Sequence, residues 1–247
     1  MLPPFLTHAW ASSPQRLAIA VGVTLGFAVL ARALRGVNRS GALAGGLACF
    51  LLFAGAGPIA FATLAALFVM TWISTRLGYR RKLALGVAER REGRTAWQVL
   101  ANLAVAALGS VVYSATGNRI WLVAALAALT EAATDTVASE IGQYSRANPR
   151  MITTWQRVSA GTDGGITIPG SIAGLAAGLL IATVGAMGGM IPQSQLWIPV
   201  AAGFAGMLFD SVLGATLQRR GWVSNQSVNL FGTLAAAVLA YATARLS

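Results

Sequence analysis

The sequence contains few charged residues, one cysteine and one histidine, and each scarcity excludes a class of protein. Only 10% of the 247 residues are charged, whereas an ordinary soluble domain carries about 25%. The single cysteine, Cys49, excludes an intramolecular disulfide framework, and with the single histidine, His8, it excludes a zinc cluster of standard spacing. We interpret Cys49 as a helix-packing residue. The chain is therefore not an ordinary soluble domain.

Apolar residues, by contrast, make up 56% of the chain. They are concentrated in blocks that approach the roughly 20 residues needed to cross a bilayer. The turn at 55–58 also allows the short segment before it to form a tight hairpin or a partly re-entrant element. The predicted fold is an all-α polytopic membrane helix bundle, one integral-membrane domain over 1–247, with six to eight transmembrane helices and eight favoured. The eight predicted segments are 16–35, 41–56, 58–76, 97–115, 120–141, 166–187, 197–218 and 227–245.

Basic residues outnumber acidic residues by 18 to 7, a balance that in a soluble protein would suggest nucleic acid as the partner. Here they lie between the apolar segments, where they set topology and contact anionic lipid headgroups. If all eight segments span, 15 of the 18 lie on one side, which the positive-inside rule makes cytoplasmic. We therefore expect a bacterial inner membrane or its equivalent, membrane lipids rather than nucleic acid as partners, and both termini on the non-cytoplasmic side.

The carboxylates are few enough to place one by one. Glu89 and Glu92 lie in the basic loop 76–96, and we interpret them as solvated partners of neighbouring arginines. An aspartate at the centre of a membrane helix costs roughly 2.5–3.5 kcal/mol on insertion scales, so its presence indicates a partner, a proton or a metal. On the predicted topology the remaining acids converge on the cytoplasmic half, although interhelical hydrogen bonding without chemistry is an alternative. These acids are Glu131, Asp135, Glu140, Asp163 and Asp210.

Other polar residues recur at helical spacing on the same side of the membrane. One stripe contains Arg94, Gln98 and Asn102 at i, i+4 and i+8. A second joins Asp210 to Gln218 through Gly214, and the last apolar segment begins near Asn225 and Asn229. The pattern predicts that several helices bring polar faces to one level.

A glycine-rich segment, Ser159-Ala160-Gly161-Thr162-Asp163-Gly164-Gly165-Ile166-Thr167, precedes the sixth apolar segment. A helix that begins there would offer free N–H groups and its dipole to an anion on the cytoplasmic side. It is not a Walker motif, since Gly-Lys-[Ser/Thr] is absent. A plain glycine-rich re-entry turn is the alternative. Carboxylates that can hold Mg²⁺ and arginines that can hold phosphates, lying close by, favour a phosphate loop.

Five motifs together resemble an integral-membrane family long classed as a domain of unknown function, whose best-understood members are phytyl-phosphate kinases of chloroplasts and cyanobacteria. The resemblance covers nearly the whole chain and keeps the order of the motifs. It departs at Ala133 and Thr134, where asparagine and alanine are expected. The motifs are Arg94-x3-Gln98-Val99-Leu100-Ala101-Asn102, Asp135-Thr136-x-Ala138-Ser139-Glu140-Ile141-Gly142, Gly161-Thr162-x-Gly164-Gly165-Ile166-Thr167-x2-Gly170, Phe209-Asp210-Ser211-x2-Gly214-Ala215-x2-Gln218 and Asn225-x3-Asn229.

The resemblance implies transfer of the terminal phosphate of a nucleoside triphosphate, CTP or ATP, to an isoprenoid monophosphate whose prenyl tail lies between helices in the lipid phase. It implies Mg²⁺ as cofactor, held by Asp135, Glu140 and Asp210. The implied catalytic residues are Arg94, Asn102, Asp135, Ser139, Glu140 and Asp210. The implied nucleotide-binding and phosphate-binding residues are Arg157, Gly161, Thr162, Asp163, Gly164, Gly165, Thr167, Ser211, Gln218, Asn225 and Asn229.

Two other readings of the same residues stay open. A cytidylyltransferase or a lipid-alcohol kinase would use similar metal, nucleotide and membrane geometry. A transporter would use the buried acids as proton or ion sites and would need a polar path to both faces. The absence of charge from loop 188–196 and the clustering of the acids on one side favour the enzyme.

Overall fold

The computed structural model describes residues 8–247, and nearly all of the regular structure in this range is helical. A short 3-10 turn, Gln193–Gln195, precedes the helix Trp197–Leu213, and a π-helical turn, Gly214–Gln218, extends that helix. The helices are α1 Pro14–Ala33, α2 Arg39–Ala56, α3 Pro58–Arg76, α4 Tyr79–Ala84, α5 Ala96–Thr116, α6 Ile120–Tyr144, α7 Ile168–Met187, α8 Trp197–Leu213 and α9 Asn225–Ala244.

Eight helices in the described range are long and apolar enough to cross a membrane, α4 being the one that is not. The prediction of an all-α polytopic bundle with eight spans is therefore confirmed. The turn between α2 and α3 is a single residue, Gly57, whose φ of +88° suits glycine. Since α2 has 18 residues and α3 has 19, both are full-length helices, and residues 39–76 form a tight hairpin rather than a re-entrant element.

Side-chain caps set where several helices begin. Asn38 accepts a hydrogen bond from the Gly41 N–H at 2.9 Å, which starts α2. Thr95 and Gln98 form a capping box at the start of α5, in which the Thr95 N–H donates to Gln98 Oε1 at 2.8 Å. Capping thus ends the basic loops at defined residues and orients the polar stripe that follows on α5.

Helix α6 is the centre of the bundle, because it packs against α3, α5, α7, α8 and α9. Its contact with α7 depends on glycines at four-residue spacing, Gly170, Gly174 and Gly178. A Cβ added at Gly174 would lie 2.5 Å from the carbonyl oxygen of Thr134. The acids that α6 carries are therefore surrounded by protein rather than by lipid.

The loops that carry most of the arginines lie together at one end of the bundle, where they close over two adjoining cavities. One of them, 145–167, contains a two-stranded antiparallel ribbon of β1 (Arg150–Met151) and β2 (Gly165–Ile166). Met151 pairs with Gly165 in this ribbon. The ribbon fixes the end of the glycine-rich segment next to the start of α7.

Candidate active site

A cavity of about 320 Å³ opens at this end of the bundle, and its lining is mainly polar. We call it the polar cavity. It lies among the ends of α5, α6, α7, α8 and α9 and under the loops 85–94 and 160–167. The structure brings together in its lining every predicted site residue except Arg157: Arg94, Asn102, Asp135, Ser139, Glu140, Gly161, Thr162, Asp163, Gly164, Gly165, Thr167, Asp210, Ser211, Gln218, Asn225 and Asn229.

Asp135 on α6 and Asp210 on α8 both line the polar cavity. Asp210 Oδ2 is buried and has no hydrogen-bond partner among the described residues. Arg94 lines the same cavity. Two carboxylates in this arrangement, one with an unpartnered buried oxygen, have the donor chemistry that a hard cation requires.

Glu140 also lines the polar cavity, but its carboxylate forms an ion pair with Lys82. Lys82 Nζ donates to Glu140 Oε2, and Thr75 Oγ1 donates to Glu140 Oε1 at 3.0 Å. Across residues 8–247 no group of three or more histidine, cysteine or acidic side chains is arranged to hold a metal. The buried Lys82 ammonium thus neutralises the Glu140 carboxylate, and the expected role of Glu140 as a third Mg²⁺ ligand stays a prediction.

Lys82 is one of the 15 basic residues that the positive-inside rule assigns to the cytoplasmic side, and the sequence pattern indicated no role for it in the site. Its side chain is completely buried, and Nζ also donates to the carbonyl oxygens of Ser74 at 2.9 Å and Thr75 at 2.8 Å. All three ammonium donors are thereby used. One feature of the sequence could have singled it out: Lys82 is the only lysine among 18 basic residues, the others being arginines. The contacts attach the loop 77–95 to the ends of α3 and α6.

Two glycines of the glycine-rich loop adopt left-handed backbone conformations, Gly161 with φ +82° and Gly164 with φ +76°. A Cβ on Gly164 would lie 2.5 Å from the backbone nitrogen of Ala215, so the loop packs directly on the π-helical turn. The N–H groups of Gly161, Asp163 and Gly164 donate to no other described residue. All three residues line the polar cavity, and backbone donors without protein partners are the kind of group that binds an anion.

The N-terminus of α7 offers fewer free backbone N–H groups to an anion than the sequence indicated. Thr167 Oγ1 accepts from the Gly170 N–H at 3.1 Å, and Pro169 has no N–H to offer. The side-chain cap therefore consumes a donor that was expected to face an anion. In this segment the loop backbone, rather than the helix terminus, carries the free N–H groups.

Asp163 lies in the same loop, outside the membrane-spanning helices. Partial burial raises its pKa above the usual range, and the Arg219 guanidinium opposes that shift. Although the side chain reaches solvent, the surrounding loops remove part of its hydration. A carboxyl that protonates more readily repels a phosphate less than an ordinary aspartate does.

Arg157 does not line the polar cavity, and its predicted role in phosphate binding stays a prediction. Its side chain is exposed, and its backbone forms an isolated bridge with Arg150 beside the β ribbon. Arg94 is different, because backbone hydrogen bonds to Gly36 and from Asn38 hold its segment against the bundle.

Glu89 was expected to be a solvated partner of arginines, and the structure instead places it in the cavity lining. Its Oε2 accepts from Gln98 Nε2 at 2.9 Å, while Asn102 Nδ2 donates to the Gln98 carbonyl oxygen at 2.8 Å. The stripe on α5 is thus a connected polar wall that the loop 85–94 covers.

A match to a family model described as integral membrane protein DUF92 extends over residues 22–237. The chain belongs to this family. Among similar proteins, the uncharacterized membrane protein sll0875 of Synechocystis is 33% identical over 205 residues, 79% of each chain. Protein VTE6, chloroplastic, of Arabidopsis thaliana is 29% identical over 83% of this chain and 64% of its own length. Protein PGR of the same plant is 32% identical over 86% of this chain and 83% of its own. No solved structure matches significantly.

Glu131 lies outside the motifs that carry the family resemblance, and it lies outside the lining of the polar cavity too. It is 1% exposed, and its Oε1 has no hydrogen-bond partner among the described residues. Gly206 and Gly232 leave room for its side chain, since a Cβ on Gly232 would lie 2.6 Å from Oε1. Glu131 is therefore a buried carboxyl between α6, α8 and α9, beside Asp210 rather than in the open site.

Proposed function

We propose that this protein is a membrane prenyl-phosphate kinase. It transfers the terminal phosphate of a nucleoside triphosphate, CTP in the first instance and ATP as the alternative, to an isoprenoid monophosphate and releases the isoprenoid diphosphate. The observation that carries the proposal is the polar cavity, which combines two intramembrane aspartates, free loop N–H groups and an arginine at one end of a helix bundle.

The donor set suits Mg²⁺. This ion is usually bound through one or two carboxylates together with substrate phosphates and water, so a three-carboxylate cage is not required. Asp135 and Asp210 would hold it, and the buried, unpartnered Oδ2 of Asp210 supports that assignment. When bound, Mg²⁺ would neutralise charge on the transferring phosphates.

The chain's own groups position and neutralise the reactants. The free N–H groups of Gly161, Asp163 and Gly164 bind the donor phosphates, and Arg94 balances negative charge in the same cavity. An oxygen of the acceptor monophosphate forms the new bond to the terminal phosphorus, and the nucleoside diphosphate leaves with the electrons of the broken P–O bond. The acceptor is already anionic at neutral pH, so positioning rather than a strong general base dominates catalysis.

The family membership supports this chemistry. The five motifs resemble those of a family that includes phytyl-phosphate kinases of chloroplasts, and a chloroplast protein is among the relatives of this chain. Most of the motif residues line one cavity. Residues that are far apart in sequence can act in one reaction only if the fold brings them to the same cavity.

The test uses full-length protein in lipid nanodiscs with Mg²⁺, CTP or ATP, and a panel of prenyl monophosphates. Mass spectrometry detects the products, and Asp210→Asn protein purified in parallel controls for contaminating kinases. We expect a prenyl diphosphate and a nucleoside diphosphate in equal amounts from wild-type protein only. Release of pyrophosphate would identify a cytidylyltransferase, and absence of any nucleotide-dependent product would refute the proposal.

A further inference from the structure

A second cavity, of about 440 Å³, adjoins the polar cavity and has a mainly apolar lining. We call it the apolar cavity. Phe27 of α1, Leu64 and Phe68 of α3, and Leu103 of α5 contribute to its walls. Its volume falls within the roughly 300–1,000 Å³ typical of small-molecule sites. Helices enclose it on several sides, so a molecule inside it contacts protein side chains rather than bulk lipid.

The two cavities meet at one wall. Glu89, Arg94, Gln98, Asn102 and Thr136 line both of them. A molecule that occupies the apolar cavity therefore has its polar end next to side chains that also line the polar cavity. The shared wall is the polar stripe of α5, with Arg94 at its outer end.

The mouth of the apolar cavity is strongly basic. Its lining there includes Arg35, Arg76, Arg90, Arg91 and Arg94, against one carboxylate, Glu89. The Arg76 guanidinium stacks over the ring of Trp72, 4.1 Å from the ring centroid, which keeps a cation at the rim. An apolar body and a cationic mouth together fit a ligand with a hydrocarbon chain and an anionic head.

The lining of the cavity reaches about halfway across the bundle. On α3 it extends from Leu64 at the inner end to Arg76 at the mouth, about 18 Å at ~1.5 Å per residue, against a hydrocarbon core of ~30 Å. Phe27 and Phe68 stand in its walls and pack edge-on, with ring centroids 5.3 Å apart. A space of this depth limits the length of any chain that lies wholly within it.

From these observations we infer that the apolar cavity binds the hydrocarbon chain of the isoprenoid acceptor and selects its length, with the acceptor phosphate held by the arginines at the mouth. The inference rests on the proposed function for the identity of the headgroup. It places the chain inside the bundle, where helix side chains rather than bulk lipid surround it.

Glycine residues on α2 offer a way to fill the cavity without breaking the fold. Gly45 lines it, and the nearest atom to an added Cβ there would be Val99 Cγ1 at 3.6 Å, an ordinary contact. Gly45→Leu should therefore be accommodated, and leucine favours a helix more than glycine does. Gly26→Leu on α1 is the matched control, because a Cβ at Gly26 has no neighbour within 4 Å and this residue is exposed.

The first experiment compares kcat/KM for geranyl, farnesyl and geranylgeranyl monophosphates in wild-type, Gly45→Leu and Gly26→Leu protein. We expect Gly45→Leu to lower the ratio of geranylgeranyl to geranyl turnover by about tenfold or more, since one methylene in an apolar pocket changes discrimination by ~10–200-fold. Gly26→Leu should keep the wild-type ratio. An unchanged ratio in Gly45→Leu would overturn the inference while leaving the kinase proposal intact.

The second experiment does not depend on turnover. A geranylgeranyl monophosphate analogue with a diazirine at the chain terminus is photolysed in nanodiscs, and the labelled peptides are mapped by mass spectrometry. We expect label near Phe27 and Leu64, competed by geranylgeranyl monophosphate and not by phosphatidylglycerol. Label only on lipid-facing positions, or equal competition by phosphatidylglycerol, would overturn the inference. Label near Phe27 and Leu64 without any kinase activity would support the cavity and refute the proposed reaction.

Discussion

At the scale of single residues, Asp135 and Asp210 carry the clearest prediction. Replacing either by asparagine keeps size and much hydrogen bonding but removes one charge from a site for a hard cation. We expect turnover to fall by about a hundredfold or more, the loss of an electrostatic contribution of ~3 kcal/mol. Thermal stability should be unchanged or higher, because an unpaired buried charge is removed. Steady-state kinetics over a Mg²⁺ and Mn²⁺ titration, with thermal unfolding in parallel, measure both effects.

Glu92→Gln is the matched control for this pair of variants, because Glu92 is exposed and lies outside the linings of both cavities. It should retain wild-type turnover. Excess metal should restore part of the activity of the aspartate variants. Near wild-type turnover in both would contradict the metal assignment, and loss of folding in both would assign them a structural role.

Lys82 and Glu140 give a prediction about stability. Lys82→Met leaves the Glu140 carboxylate partly buried without its ion-pair partner, which should lower the free energy of unfolding by ~3–5 kcal/mol. The double variant Lys82→Met with Glu140→Gln should recover much of that loss, since no uncompensated charge remains. Thermal unfolding of both single variants and the double variant tests this as a double-mutant cycle. If Glu140→Gln instead abolishes turnover at full stability, Glu140 acts in the metal site after all.

At the scale of elements, the decisive contact is that of the glycine-rich loop with the π-helical turn at the end of α8. Gly164→Ala would place a methyl group about 2.5 Å from the Ala215 nitrogen and displace the loop. We expect nucleotide affinity to fall about tenfold or more, since a hydrogen bond to a charged group contributes roughly 1.5–3 kcal/mol. Isothermal titration calorimetry with CTP and with ATP measures the change.

A second glycine separates this steric effect from the cost of the backbone conformation. Gly221 has φ +73°, close to that of Gly164, but a Cβ there has no neighbour within 4 Å. Gly221→Ala therefore carries only the left-handed penalty of ~1–2 kcal/mol. Equal nucleotide affinity in the two variants would show that the loop packs without contacting phosphate.

At the scale of the whole molecule, the uneven distribution of arginines predicts which end of the bundle faces the cytoplasm. In a Cys49→Ser background, Leu85→Cys should react with an impermeant thiol reagent only from the cytoplasmic side. Gln193→Cys should react only from the opposite side. Both positions are exposed and Cys49 is buried, so labelling reports the introduced thiols. The reverse pattern would place the polar cavity on the other face of the membrane.

The sequence was sufficient for those features that depend on local pattern. Apolar block length determines which segments can cross a bilayer, so the eight spans were predictable within a few residues at their ends. The isolated acids were conspicuous because charges are rare in such segments. The spacing of polar residues along α5 and α8 placed their side chains on single helix faces, and these faces do line one cavity.

The tertiary structure alone decided which of these groups are free to act. Nothing in the spacing reveals that Lys82 pairs with Glu140 or that Arg157 lies outside the polar cavity. Each depends on contacts between residues far apart in sequence or on the path of an irregular loop. The apolar cavity likewise exists only because five membrane-spanning helices, α1, α2, α3, α5 and α6, leave space between them. A one-dimensional pattern specifies the face a residue occupies on its own helix, whereas its partner is set by how the helices pack.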